Sequence, residues 1–317
     1  MDSLALPPAA RSAPPGPLPG WAVPRGSPVS EADAAFAAGI ALKSLDDLVR
    51  LDPAWAGCWR ARQALECAAA AVRLSGRSEE QAELMDAALL TAPGDDPGPA
   101  GRIFGAFNKL ANRNGALTTP FLADLAELMG FSWDEHLAQS LDQVDAALQS
   151  GRAAPFAAAE LITAIWSARP DAEILAFALA DWLIAQKLSW VSCVPLLMGQ
   201  RYGASFRTPG GRGRLRPGEA GFPAALCQAL VEATRTALRS AGDIARRTDR
   251  LLEVAPKIRT KGADAVYQKL LEEAAVAGTA PGTGLSRWAS SRLFDRLESF
   301  GAVRELSGRA TFRIYGL

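Results

Sequence analysis

The chain holds a single histidine, His136, which excludes HExxH, facial-triad and multi-histidine metal sites. One histidine still permits a Ser–His pair, yet no Gly-x-Ser-x-Gly elbow is present. Set in Trp133-Asp134-Glu135-His136, it reads as a solvated helix residue. Cysteine is scarce too. Cys58, Cys67, Cys193 and Cys227 stand apart with no CxxC pair, so they read as reduced core thiols, not a zinc site. No apolar run reaches the ~20 residues a bilayer demands. The most apolar stretch, Ile174–Ala185, is interrupted by Asp181 and reads as a buried helix. Gly203–Gly213 lacks a Gly-Lys-Ser/Thr and a preceding strand, which rejects a P-loop.

Adjacent carboxylates occur at Asp46-Asp47, Asp95-Asp96 and Glu272-Glu273, but neighbours on a helix point apart. They read as solvated faces. Trp55, Cys58 and Trp59, and likewise Trp182 and Trp190, read as core packing rather than a stacking platform. No catalytic motif, cofactor or metal site is expected. An enzyme of another type would need a deep pocket in the helical part with converging carboxylates.

What is present is a folded composition, 49% apolar and 21% charged over 317 residues, long enough for two domains or one large helical domain with an appendage. Acids and bases balance overall but not along the chain. From Arg201 onward 20 Lys and Arg face 11 Asp and Glu, a net of +9 that leaves −9 for residues 1–200. A basic C-terminal part on an acidic scaffold suits a nucleic-acid partner; chance distribution over solvated faces is the bland alternative.

Residues 1–29 form a Pro-rich lead, expected to be disordered or extended and without the apolar core of a signal peptide; a cytoplasmic location follows from that reading. Helix signals then succeed one another. Ser30 with Asp33 resembles a capping box, Pro53 suits a first helical position, and Ser78 with Gln81 opens a helix that stops at Pro93-Gly94. A further helix ends at Asn114-Gly115, Thr119-Pro120 starts another that stops at Gly130, and Ser132 with Glu135 caps one running to Gly151. Pro155 and Pro170 precede two more. Residues 30–200 are thus expected to be a bundle of about eight helices. Residues 201–220 are a Gly/Arg-rich loop in which five arginines meet no acid before Glu219, and 221–261 a linking basic helix.

The period changes within 262–317. Ala263–Val276 reads as a helix, Ala277–Gly284 as a loop, and Ser286–Phe300 as a second helix with Ala289, Leu293, Leu297 and Phe300 on its apolar face and Gly301 as its stop. Strands are expected at Val303–Leu306 and Ala310–Tyr315 around a Ser307-Gly308 turn, with Phe312 and Ile314 alternating against polar neighbours. Helix, turn, helix and hairpin is the order of a winged helix-turn-helix. In that geometry Ser286, Arg287, Ser290 and Ser291 start the reading helix, where bases are met, and Arg304, Arg309 and Arg313 lie on the wing, where phosphates are held. Asp295 and Glu298 oppose phosphate at the far end of that helix. The alternative is a wing that packs on a protein, for which Trp288 and Phe294 would both be exposed.

Leu18–Pro24, Asp33–Leu48, Ala54–Ala71, Gly94–Pro99 and Phe300–Leu317 together resemble the bacterial family catalogued as domain of unknown function 1403. The resemblance spans nearly the whole chain and implies no activity. Ser286–Leu317 is similar to winged-helix tails of bacterial helix-turn-helix proteins, including tails that follow Fic-type domains. The Fic motif His-Pro-Phe-x-x-Gly-Asn has no counterpart here, so that activity is not implied.

The expectation is a mainly α protein, a multi-helix bundle followed by a winged helix-turn-helix with a small β-hairpin. It would act as a DNA-binding regulatory or accessory protein, or as a protein-interaction scaffold. Expected partners are double-stranded DNA, and itself or another protein through the helical domain, with no membrane.

Overall fold

Ser30 opens the first helix as its spacing predicts, its hydroxyl accepting the Asp33 N–H at 3.1 Å. The computed structural model describes residues 16–24, 29–92, 94–208, 210–279, 282–309 and 311–317. Much of the Pro-rich lead, the helix stop at Pro93, Ala280-Pro281 of the predicted loop and Ala310 at the predicted strand start lie outside the described residues. Eight helices follow in the expected places: α1 (Glu31–Leu51), α2 (Ala56–Leu74), α3 (Gln81–Leu90), α4 (Gly98–Ala111), α5 (Thr119–Leu128), α6 (Glu135–Gln149), α7 (Ala154–Ala168) and α8 (Glu173–Lys187). Two caps differ from expectation. Glu80 and Glu83, not Ser78 and Gln81, form the capping box of α3. Asp134, not Ser132, accepts the Leu137 N–H that starts α6. In both cases the residue adjoining the helix, rather than the first polar one before it, reaches the orphan N–H groups.

Part of the lead is ordered against the helices. Leu18 packs on the core and Ala22 is buried, contrary to a wholly extended or disordered lead.

The scaffold is organised by α9 (Phe222–Val254), 33 residues and so ~50 Å long. Against it lies α1, whose Ala34, Ala37, Ala38 and Ala41 meet Cys227 and Val231. Small side chains at helical spacing let the two axes approach closely. On α2, fully buried Trp59 donates from its indole nitrogen to the Ala237 carbonyl of α9 at 3.0 Å. Trp190 is likewise core, donating to Asp46 at 2.8 Å.

Parts of the Gly/Arg segment are built into the fold through Arg201, Tyr202, Phe206 and Arg214, while Arg207, residues 210–213 and Arg216 are exposed. Buried Arg201 pairs with Glu173 of α8 and lies over the rings of Phe177 and Phe206. Those rings join Phe222 in an aromatic trio with centroids 5.7–6.5 Å apart. Arg73 and Arg214 sandwich Tyr202, each 4.3 Å from the ring centre. The acid that answers Arg201 comes from α8, which spacing along the segment could not reveal.

Buried Asp181 of α8 accepts the Leu196 N–H at 2.8 Å and the Leu197 N–H at 3.1 Å, fastening the segment after α8 to its middle. Burial pushes its pKa up to about 8, against these hydrogen bonds, which lower it.

The C-terminal segment contains α10 (Ala263–Glu272), β1 (Val276–Ala277), α11 (Arg287–Ser299), β2 (Arg304–Glu305) and β3 (Ile314–Gly316). α10 stops before its predicted end because Val276 and Ala277 pair with Tyr315 and Ile314. β3 is central, flanked by β1 and β2, and both pairings are antiparallel. The protein is therefore mainly helical with a small three-stranded sheet near its C-terminus. Tyr267, Phe294, Ile314 and Leu317 belong to the same hydrophobic cluster as Trp59, Phe107 and Leu179. Among the described residues no helix is long and apolar enough to cross a membrane.

Candidate nucleic-acid interface

α11 begins at a capped end and stops at a sharp one. Ser286 Oγ accepts the Ala289 N–H at 3.3 Å. At the other end the Ala302 N–H bonds to the Leu297 carbonyl and the Gly301 N–H to the Glu298 carbonyl. With Gly301 at φ +68°, this is a Schellman stop, whose left-handed residue glycine adopts without a Cβ penalty.

The inward face of α11 is turned relative to the predicted one. Ser290, Leu293, Phe294 and Leu297 are buried, while Phe300 is exposed. The cause is Phe294, which stacks on Tyr315 of β3 with centroids 4.7 Å apart and planes 11° from parallel. Ser290, expected among the base contacts, is thereby turned into the core. Its hydroxyl is enclosed, with no partner, and it reaches a base only if the helix leaves the core. Ser286 and Arg287 are exposed, and half-buried Ser291 lines a groove.

That groove, about 610 Å³, runs between α11 and the strand connection. Arg287, Trp288, Ser291 and Asp295 line one wall, Phe312, Arg313 and Tyr315 the other. Trp288 is 77% exposed. Phe312 is 58% exposed and has φ +55°, in the left-handed region that bulky side chains avoid. It stands outside β3 and does not alternate inward with Ile314 as the period implied.

The three wing arginines have three different environments. Arg309 is ion-paired with Asp86 of α3, so its charge is directed at the helical part and not held free for phosphate. Arg313 lies 3.7 Å from Asp295 and donates to the Tyr315 hydroxyl at 3.3 Å, on the groove wall. Arg304 is exposed on β2. Beside it, burial raises the pKa of Glu305, but bonds from the Ser307 hydroxyl and N–H and the Gly308 N–H outweigh this and hold it below the ordinary value. Its carboxylate ties the turn after β2. The structure thus brings Arg287, Ser291 and Arg313 to one groove, with Ser286 at the adjoining helix start, and separates Ser290, Arg304 and Arg309 from it.

Sequence reasoning missed Trp288 with Phe312 as a pair of exposed aromatic rings across one groove. It had weighed Trp288 with Phe294, and those two divide, one exposed and one buried. It also missed Asp86, whose only signal is a negative charge on a helix 223 residues away from Arg309.

A second cavity of about 750 Å³ lies between α2, α3, α4 and the α10–β1 connection. Arg60, Lys269, Glu272 and Glu273 line it, with Lys269 paired to Glu273 at 3.4 Å. His136 is exposed on α6, and the four cysteines are free and buried. Among the described residues no group of three or more His, Cys, Asp or Glu is placed to hold a metal ion.

A model of the family described as "Protein of unknown function (DUF1403)" matches residues 9–317. No curated protein matches the chain.

Proposed function

The chain belongs to the DUF1403 family; from that premise, which brings no activity with it, and from the geometry of α11 and the sheet, we propose that it is a DNA-binding regulatory or accessory protein acting through a C-terminal winged helix. The observation that carries this is the order α10, β1, α11, β2, β3 with β3 paired between the other two strands. In such an arrangement the second helix projects its N-terminal end beside the hairpin, so that one enters a groove while the other rests on the backbone. Ser286, Arg287 and Ser291 stand at that end and Arg313 on the hairpin side. The net charge of +9 from residue 201 onward favours a polyanion. No helix among the described residues fills the connection between β1 and α11, so the module has fewer helical supports than the full helix-turn-helix order implies.

The second reading, docking of a protein on the same groove, is favoured by Trp288 and Phe312. Two exposed aromatic rings flanking a concavity are typical anchors for a protein partner.

Fluorescence anisotropy of the full chain with random-sequence duplex DNA, at ~50 and ~200 mM salt, separates them. DNA binding predicts a steep fall in affinity over that range. Arg313→Ala should weaken binding to every sequence and reduce the logarithmic salt slope by ~0.9 for the one phosphate lost. Arg287→Ala should instead relax sequence preference. No binding at ~50 mM salt overturns the proposal and leaves protein docking.

A further inference from the structure

A short hairpin within the Gly/Arg segment, residues 206–215, presents its charge on one face. The Leu215 N–H bonds to the Phe206 carbonyl at 2.8 Å and the Thr208 N–H to the Gly213 carbonyl at 3.0 Å. Between these bonded pairs Arg207 stands directly opposite Arg214, in the non-hydrogen-bonded position where side chains come closest. Phe206 is fully buried and Leu215 packs on the core, so strand alternation turns both arginines to the other face, toward solvent. Arg73 of α2 joins them there. Arg73 and Arg214 each lie 4.3 Å from the centre of the Tyr202 ring, and so no farther than twice that from one another. Arg212 is exposed on the turn, beside Gly210 and Gly211, which are flanked by open space.

Like charges directly opposed across an antiparallel pair are unfavourable unless something answers them. Glu173 is committed to Arg201, and among the described residues no carboxylate is ion-paired with Arg73, Arg207, Arg212 or Arg214. Burial first, and then the neighbouring charges of Arg201, Arg73 and Arg207, push Arg214 below its ordinary pKa. The arrangement is nonetheless held in place. Tyr202 carries the Arg73 and Arg214 guanidinium groups, and Arg214 Nη1 donates to the Arg201 carbonyl at 3.0 Å. Guanidinium forks ordered in advance suit phosphate oxygens, which one fork can meet with two bonds. Spread over an open hairpin and a neighbouring helix, these four suit successive phosphates of a chain better than one enclosed anion.

We propose that Arg73, Arg207, Arg212 and Arg214 form a contact surface for the phosphate backbone of a nucleic acid, separate from the α11 groove. No residue of the 206–215 hairpin lines that groove. The proposal rests on the reading of this chain as a nucleic-acid-binding protein, but not on α11 being the element that enters DNA.

The test is fluorescence anisotropy of the full chain with random-sequence duplex DNA, at ~50 and ~200 mM salt. One variant combines Arg207→Gln with Arg212→Gln, and a second carries Arg73→Gln; all three side chains are exposed, so the fold tolerates their loss. The double variant should lower the logarithmic salt slope by ~1.8 and Arg73→Gln by ~0.9, one phosphate for each guanidinium. Arg313→Ala at the α11 groove is the comparison. Slopes unchanged in both hairpin-side variants but reduced by Arg313→Ala overturn this surface and leave the groove as the site. Slopes reduced in the hairpin-side variants alone support this surface and overturn the groove. Reduction by all of them supports both, with one duplex spanning the two. Slopes unchanged in every variant, or no binding by the wild type at ~50 mM salt, overturn both.

Discussion

Replacing Asp181 with asparagine should remove most of the pH dependence of stability in the mildly acidic range. Burial raises the folded-state pKa of Asp181 from its ordinary 3.8 to about 8. Between those values the native protein holds a proton that the unfolded chain has released, so stability is full below the lower value and falls as pH rises toward the upper one. The slope for one such group is ~1.4 kcal/mol per pH unit, and from pH ~5 to pH ~7.5 the loss is roughly 3 kcal/mol. An asparagine leaves an oxygen in place to accept the Leu196 and Leu197 N–H groups, and it does not titrate. Urea unfolding followed by far-UV circular dichroism at several pH values in that interval gives the comparison, with a constant m-value as the check that both proteins unfold alike. The wild type should lose about 3 kcal/mol and Asp181→Asn little of that. Parallel slopes for the two proteins would refute the reasoning, because they would show that Asp181 is charged when folded.

Two further substitutions test the packing. Phe294→Ala should cost ~3–5 kcal/mol, since it empties a buried site and removes the stack on Tyr315; a cost under ~1 kcal/mol in urea unfolding would mean that α11 is not fastened to the sheet as described. Arg201→Met should destabilise by ~1–3 kcal/mol by leaving the half-buried Glu173 without its partner, and Arg201→Met with Glu173→Leu should recover much of it. Equal losses in the single and double variants would show that the pair itself contributes nothing beyond the packing of Arg201 on Phe177 and Phe206.

The bundle was readable because its signals are local. Ser30, Thr119-Pro120 and Gly301 act within one turn of the helix ends they define, and a few residues suffice to recognise them. The caps at Glu80 and Asp134 were misplaced by two residues, since several polar side chains compete near a helix start and spacing alone does not pick the one that reaches. The rotation of α11 was harder to foresee. Ala289 and Phe300 fit a helical stripe as well as Ser290 and Phe294 do, and only the ring of Tyr315 across the sheet decides between them.

The sequence by itself determined that the chain is helical up to its last fifty or so residues, and that its four thiols and Trp55, Trp59, Trp182 and Trp190 are core. Each of these follows from burial patterns repeating over one or two turns, which any packing partner satisfies equally. Tertiary structure alone decided which charges are free. Arg201 finds Glu173, Arg309 finds Asp86, and Asp181 is committed to two backbone N–H groups. The function of a charged residue depends on distances across the fold, set by how α2, α3, α8, α9 and the sheet pack together. Those distances leave no period or spacing in the sequence to be read.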